Sequence, residues 1–231
     1  MSEYVFSPPP PVSLAVLGTE ARFPVRRIYC VGRNYAAHRA EMGGDDREPP
    51  FFFAKPSDAV VASGAQIAFP RATENLHHEI ELVIALRQGG VDIARDQALD
   101  HVFGFAVGVD LTRRDLQAAA KDKGQPWESA KGFDQSAPLS PIKPWAGAPP
   151  SGAISLSVNG SVRQDAKLTD MIWSVAEIIS EASRLWRLEA GDLIFTGTPE
   201  GVGRLQPGDQ VTGAVEGVGG VTFSLAPTAA A

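Results

Sequence analysis

The chain has one cysteine, Cys30, in 231 residues. That excludes an intrachain disulfide and fits a reducing compartment. No stretch reaches the ~18 apolar residues of a membrane span, so no membrane partner is expected. Positive charge is scarce: 21 Lys and Arg stand against 27 Asp and Glu, a formal net charge of −6. Phosphate-backbone binding needs a basic face, so nucleic acid is not an expected partner. A small anionic substrate stays open, because a few local cations can meet its charge. The opening "MSEYVFSPPPPVSLAVLG" has no basic start, and its proline run blocks the apolar helix of a secretion signal. A cytoplasmic protein is the expectation. The glycine loop "FTGTPEGVG" (195–203) lacks the Gly-Lys-Ser/Thr of a phosphate loop, which argues against nucleotide binding.

At 44% hydrophobic the chain can bury a proper core. Short β-like runs dominate: "RRIYCVG", "FFFAK", "IELVIAL", "VFGFAVGVD", "ISLSVNG", "DLIFTG" and "VTFSL", punctuated by 23 glycines and 18 prolines. Helical spacing is clear in "TDMIWSVAEIISEASRLW", where Asp170 could serve as N-cap. A shorter helix is expected over "NYAAHRAEM", with Asn34 near its start and Gly43 past its end. Strands do not alternate regularly with helices, which argues against a Rossmann-like or TIM-barrel layout. Residues 1–22 read as an N-terminal extension, 23–225 as a single catalytic domain and 226–231 as a flexible tail. Cys30, at an apparent strand end, reads as a packing residue rather than a nucleophile.

The stretch "LHHEIELVIAL" (76–86) places Glu79 and Glu81 two apart on one strand, hence on one face, roughly 7 Å apart at the backbone. Ile80, Leu82 and Ile84 take the other face. An ordinary solvated face of an edge strand would satisfy this pattern. A second segment shifts the balance, because the apolar run "VFGFAVGVD" ends in Asp110, and an unpaired buried carboxylate costs several kcal/mol. Three carboxylates without cysteine form a hard oxygen site, which selects Mg²⁺ or Mn²⁺ over zinc. His77 shares the glutamate face; orienting a ligand or packing fits it better than ligation.

His38 and Glu41 are three apart on the expected helix. A carboxylate beside an imidazole fixes its tautomer and raises its basicity, as removal of a proton from water needs. Spacing alone fits a surface pair better, and the local support is the flanking "CVGRN", a strand-to-turn element of the kind that delivers residues to a cleft. Arg33 in that element and Tyr35 just after it are substrate-binding candidates. So are Lys55, after the unusual "PPFFF", and Arg114, whose guanidinium can grip a carboxylate with two hydrogen bonds. Lys131 reads either as surface lysine or as a point charge that stabilises a developing enolate. In the glycine loop, Gly197, Gly201 and Gly203 permit unusual backbone angles or close approach, and Thr198 could donate to a substrate oxygen.

Together, "YCVGRNYAAH", "FFFAKPSDAV", "LHHEIEL", "GVDLTRRDLQ", "AKGFDQSAPLSP" and "IFTGTPEGVG" resemble the fumarylacetoacetate hydrolase family, over about Arg26 to Leu225. The resemblance implies an α+β, predominantly β fold, with mixed sheets rolled into a barrel-like core, few short helices and a homodimer. It implies a divalent cation, Mg²⁺ or Mn²⁺, on Glu79, Glu81 and Asp110, with no organic cofactor. It places the family's acid–base pair on His38 and Glu41, its lysine on Lys131, and its substrate contacts on Arg114, Gln117 and Thr198. Gly132 follows Lys131 where many relatives have serine or alanine. "DREPPFFFAKP", "DLTRRD" and "GDLIFTGTPEGVG" look most like members that hydrolyse fumarylpyruvate. A small anionic keto acid is the implied partner, and hydrolysis of an acylpyruvate C–C bond the implied reaction. Alternatives are oxaloacetate decarboxylation, a general acylpyruvase, and a non-enzymatic metal-binding protein. Arg47 is a candidate for a distal carboxylate.

Overall fold

The computed structural model describes residues 4–35 and 48–226. Their strands, in chain order, are β1 (Ser13–Ala15), β2 (Arg22–Pro24), β3 (Ile28–Gly32), β4 (Phe51–Lys55), β5 (Val60–Ala62), β6 (Ala65–Ala68), β7 (Leu76–His78), β8 (Ile80–Leu86) and β9 (Val102–Val109). Then come β10 (Thr112–Arg113), β11 (Ala137–Leu139), β12 (Lys143–Pro144), β13 (Ala153–Val158), β14 (Ser161–Lys167), β15 (Leu193–Phe195), β16 (Gly203–Arg204), β17 (Gln210–Val215) and β18 (Gly219–Ala226). Among the described residues three α-helices accompany them: α1 (Arg114–Asp122), α2 (Glu128–Lys131) and α3 (Val175–Leu185).

The largest sheet runs β4-β3-β15-β8-β9-β11-β5, with β12 paired to β9. It is mixed: β3 and β15 are parallel, as are β11 and β5, while β8 pairs antiparallel with both its neighbours. A second sheet runs β14-β13-β17-β18-β6, a third β10-β7-β16, and β1-β2 forms a hairpin. The whole is mostly strand with few helices, its sheet curled into a half-barrel, as the resemblance implies.

β8 explains why the core forms where it does. Every residue from Ile80 to Leu86 is buried, as expected of a central strand covered on both faces. Ile80, Leu82 and Ile84 join one apolar cluster with β13, β17, β18 and α3, while Val83 and Ala85 join another with Cys30, Phe195 and the β1–β2 hairpin. The solvated-edge alternative for the glutamates is thereby excluded. Leu14 and Val16 are buried in the second cluster, so the hairpin straddles the expected boundary at residue 22 and ties part of that extension to the core.

The long predicted helix begins later than its sequence pattern. α3 starts at Val175 with Ser174 as N-cap, whose Oγ accepts from Glu177 N–H while the Glu177 carboxylate accepts from Ser174 N–H at 3.0 Å. This capping box satisfies the first-turn donors, and Asp170 instead accepts from Lys167 N–H at 3.1 Å. The expected helix over "NYAAHRAEM" falls largely on 36–47, outside the described residues. α1 has no counterpart among the helices expected from the sequence. No helix among the described residues is long and apolar enough to cross a membrane.

Candidate active site

Two chain segments deliver the carboxylates. Glu79 sits at the irregular residue between β7 and β8, Glu81 on β8, and Asp110 directly after β9. Antiparallel pairing of β8 with β9 brings them together, anchored by Asp110 N–H donating to Glu79 O at 2.8 Å. All three are buried, and one oxygen from each lies within 4.8 Å of the others. Like charges this close in a dry site need a positive charge among them.

Part of that charge is on the chain. Lys131, at the end of α2, is buried, and its Nζ donates to Glu79 Oε2 at 2.7 Å, Asp110 Oδ2 at 2.6 Å and Thr112 Oγ1 at 2.6 Å. Burial works to lower its pKa, but Asp110 and Glu79 outweigh burial and the net shift is upward. Arg114, at the first residue of α1, bonds Glu79 Oε1 through Nη2 and Gln117 Oε1 through Nη1. Residues three apart share a helix face, so α1 presents Arg114 and Gln117 together. Lys55 is buried differently. Its Nζ lies 2.9 Å from Asp110 Oδ1, outside hydrogen-bonding geometry, and donates to the carbonyls of Leu111 and Lys131. Lys55 braces the floor of the site and does not line the cavity.

Glu81 is left without an ion-pair partner among the described residues. Its Oε2 accepts from Gly197 N–H at 2.6 Å. Burial pushes its pKa well above the ordinary carboxylate range, with Asp110 and Glu79 pushing further. Three hard oxygen donors converging in a buried site fit a divalent cation such as Mg²⁺ or Mn²⁺. Glu79, Glu81 and Asp110 are the residues that could hold it.

A cavity opens on this cluster. Arg33, Arg114, Gln117, Lys131 and Thr198 line it, together with an aromatic wall of Phe51, Phe53 and Trp127. Phe51 and Trp127 meet edge to face at 5.3 Å, and the Arg33 guanidinium lies 5.7 Å from the Phe51 ring centroid. Arg33 has φ +58°, uncommon for a residue with a Cβ, and its Nε is buried with no hydrogen-bond partner among the described residues. Sequence reasoning marks "PPFFF" as unusual but misses the wall; Trp127 carries no periodic signal. Thr198 sits beside Gly197, whose φ of +96° and separation of 2.6 Å between an added Cβ and Asn34 Cβ both demand glycine. Gly201 also has positive φ; Gly203 does not.

The remaining candidates divide. His77 Nε2 pairs with Asn75 Oδ1 at 2.9 Å, and its Nδ1 takes a hydrogen bond from Arg114 Nε at 3.3 Å. It therefore orients Arg114. Burial, with Arg114 second, lowers its pKa to about 4. Tyr35 is buried away from the cavity lining, and its hydroxyl has no partner among the described residues. Cys30 is buried in the second apolar cluster, its thiol pushed up foremost by burial. His38, Glu41 and Arg47 lie outside the described residues.

Residues 27–226 match the family model described as fumarylacetoacetate (FAA) hydrolase, C-terminal. The chain belongs to the fumarylacetoacetate hydrolase family. It is 43% identical to a fumarylpyruvate hydrolase of Ralstonia sp over 181 residues, which is 78% of this chain and 94% of that protein. It is 42% identical to the mitochondrial oxaloacetate tautomerase of Mus musculus over 202 residues, 87% of this chain and 91% of that one. The crystal structure of fumarylpyruvate hydrolase from Pseudomonas aeruginosa in complex with Mn²⁺ and pyruvate superposes with a TM-score of 0.94 at 52% identity, covering 97% of this chain and 99% of that one. The protein is thus an enzyme of a family whose members act as hydrolases or tautomerases.

Proposed function

We propose that this protein hydrolyses the carbon–carbon bond of an acylpyruvate, 3-fumarylpyruvate above others, to fumarate and pyruvate. One observation carries the reading: the buried Glu79–Glu81–Asp110 cluster opens onto a single cavity that also presents Arg114, Gln117, Lys131 and Thr198. A divalent cation on the three carboxylates supplies positive charge at the α-keto acid end of the substrate. Arg114, Gln117 and Thr198 hold that end, with His77 fixing the Arg114 plane. His38, backed by Glu41, takes a proton from water, whose oxygen adds to the distal carbonyl. The bond between that carbon and the pyruvyl methylene then breaks, and its electron pair becomes the pyruvate enolate. The Lys131 ammonium faces the charge that develops there, and protonation of the enolate gives pyruvate. Arg33, beside Phe51 and Trp127, receives the distal carboxylate, while the aromatic wall packs the planar conjugated chain. Assembly as a homodimer, which light scattering on the purified protein measures, is part of the same proposal.

The 42% identical tautomerase supports a second reading, keto–enol exchange of oxaloacetate, in place of oxaloacetate decarboxylation, the alternative kept from the sequence. One assay separates them. Purified protein with Mg²⁺ or Mn²⁺ is given fumarylpyruvate, then oxaloacetate, while enol absorbance and pyruvate release are followed. Pyruvate release from fumarylpyruvate that disappears in His38→Ala supports hydrolysis. Enol loss from oxaloacetate without pyruvate, and no turnover of fumarylpyruvate, would replace it with tautomerisation.

A further inference from the structure

β14 is an edge strand whose residues Ser161–Lys167 are exposed or half-exposed, with one exception: Gln164 is fully buried. A register shift in the pairing with β13 sets Leu156 opposite Gln164 and Ser157 opposite Val162, leaving Arg163 as the extra residue of a bulge. Bulges re-aim side chains, and this one turns Gln164 beneath the active-site loop. Its amide makes four hydrogen bonds. Oε1 accepts from Ile80 N–H at 3.1 Å and pairs with His78 Nδ1 at 2.9 Å; Nε2 donates to Thr198 Oγ1 at 2.8 Å and Pro199 O at 2.9 Å.

The direction of each bond follows from chemistry. A backbone N–H only donates, so the oxygen of the amide must face Ile80. A proline carbonyl only accepts, so the nitrogen must face Pro199. With the amide locked this way, His78 Nδ1 carries the proton and Thr198 Oγ1 must accept. A hydroxyl whose lone pair is already engaged has its own proton to give, and Thr198 lines the same cavity as the three carboxylates. The loop also lies close on β14, since a Cβ at Gly201 would stand 2.1 Å from Arg163 O.

We propose that Gln164 is a positioning residue that sets the Thr198 hydroxyl as a donor toward a carboxylate or keto oxygen of the substrate. This rests on the acylpyruvate reading. The test is a double-mutant cycle of Gln164→Met and Thr198→Val, read by titration calorimetry of pyruvate into Mn²⁺-loaded protein, with Mn²⁺ affinity measured beside it. Thr198→Val should weaken pyruvate roughly tenfold. Gln164→Met should weaken it by about fivefold when Thr198 is intact and by less than about 1.5-fold when added to Thr198→Val, because it acts through that hydroxyl. If Gln164→Met does not fold, Gln164→Glu carries the same test. It keeps the two bonds to β7 and β8, loses the bond to Pro199 O and reverses the sense of the bond to Thr198, so its effect on pyruvate should again be larger with the threonine hydroxyl than without it. Equal losses with and without the threonine hydroxyl, or no loss in either case, while the unmodified protein binds pyruvate, would overturn this inference alone. An unmodified, Mn²⁺-loaded protein that takes up no pyruvate and does not turn over fumarylpyruvate would overturn the acylpyruvate reading and this with it.

Discussion

Replacing Lys131 by methionine keeps the aliphatic stem and removes the ammonium that, among the described residues, bridges Glu79 and Asp110 at 2.7 and 2.6 Å. Both carboxylates stay buried. Removing one partner of a buried ion cluster costs about 3–5 kcal/mol where the remaining charge is uncompensated; here Arg114 still pairs with Glu79, and Lys55 Nζ still lies 2.9 Å from Asp110 Oδ1, so that range is a ceiling. For a chain of 231 residues, each kcal/mol moves Tm by about 2–4 °C, so Lys131→Met in chelator should melt below the unmodified protein, by no more than ~20 °C. A divalent cation contests the same oxygens that hold the ammonium. Its absence should therefore raise Mn²⁺ affinity, and saturating Mn²⁺ should stabilise Lys131→Met more than it stabilises the parent. At a thousand times Kd the cation contributes ~4 kcal/mol, enough to recover most of the loss. Activity should stay low even then, since no ammonium faces the developing enolate. The assay is differential scanning calorimetry with chelator and with Mn²⁺, beside turnover at saturating cation. If the variant in chelator melts with the parent, the ammonium is not what holds the two carboxylates together. If Mn²⁺ raises both Tm values equally, the cation does not bind at these oxygens.

Glu79→Ala should lose Mn²⁺ binding and activity while keeping its circular dichroism; a variant fully active in chelator refutes the assignment of Glu79 as a ligand. Gly197→Ala forces alanine to φ +96° and against Asn34, which costs about 1–3 kcal/mol from backbone strain alone. It should displace the N–H that serves Glu81, so urea melts and Mn²⁺ affinity should both fall; unchanged affinity would separate the loop from the carboxylates. The folded-state pKa of His77 is lowered to about 4 against an ordinary 6.5. Its contribution to stability is therefore present above pH 6.5 and lost as pH falls toward about 4, and an NMR titration of its ring should show a midpoint near that lower value. A midpoint at 6.5 would mean the ring does not hold Arg114 in its neutral form.

The legible parts of the fold are those with a simple period. β3, β4, β8, β9, β13, β15 and β18 each fall on an apolar run visible in the sequence. β14 does not, because "SVRQDAK" is polar almost throughout and owes its place to pairing with β13 and not to burial. α1 is hidden for a related reason. "RDLQAAAKD" has a short apolar face, and its first turn is defined by Arg114 and Gln117, which contact Glu79 and each other instead of an apolar core. Spacing within one segment finds Glu79 with Glu81 and suggests their common face, but cannot tell a solvated edge from a strand covered on both sides. Only the pairing of β8 between β15 and β9 decides that.

The counter-charges are harder still, because charge partners need not be neighbours in sequence. Lys131 lies 52 positions from Glu79 and 21 from Asp110, and no window or periodicity links them. Family resemblance supplies Lys131, Arg114 and Thr198 where spacing is silent, yet it does not supply Gln164. A lone glutamine in a polar strand looks like surface. Its importance comes from a bulge that turns one side chain inward, and from the rule that a buried amide must satisfy all of its donors and acceptors. That rule makes the residue informative once coordinates exist. Among Ile80 N–H, Pro199 O, His78 and Thr198, two partners have no choice of role, and those two dictate the roles of the others. The active-site hydroxyl is thus oriented by a constraint that begins on a backbone N–H in the central strand and a carbonyl in the loop. A search for buried amides with partners of fixed polarity would find such residues where a search for catalytic side chains would not.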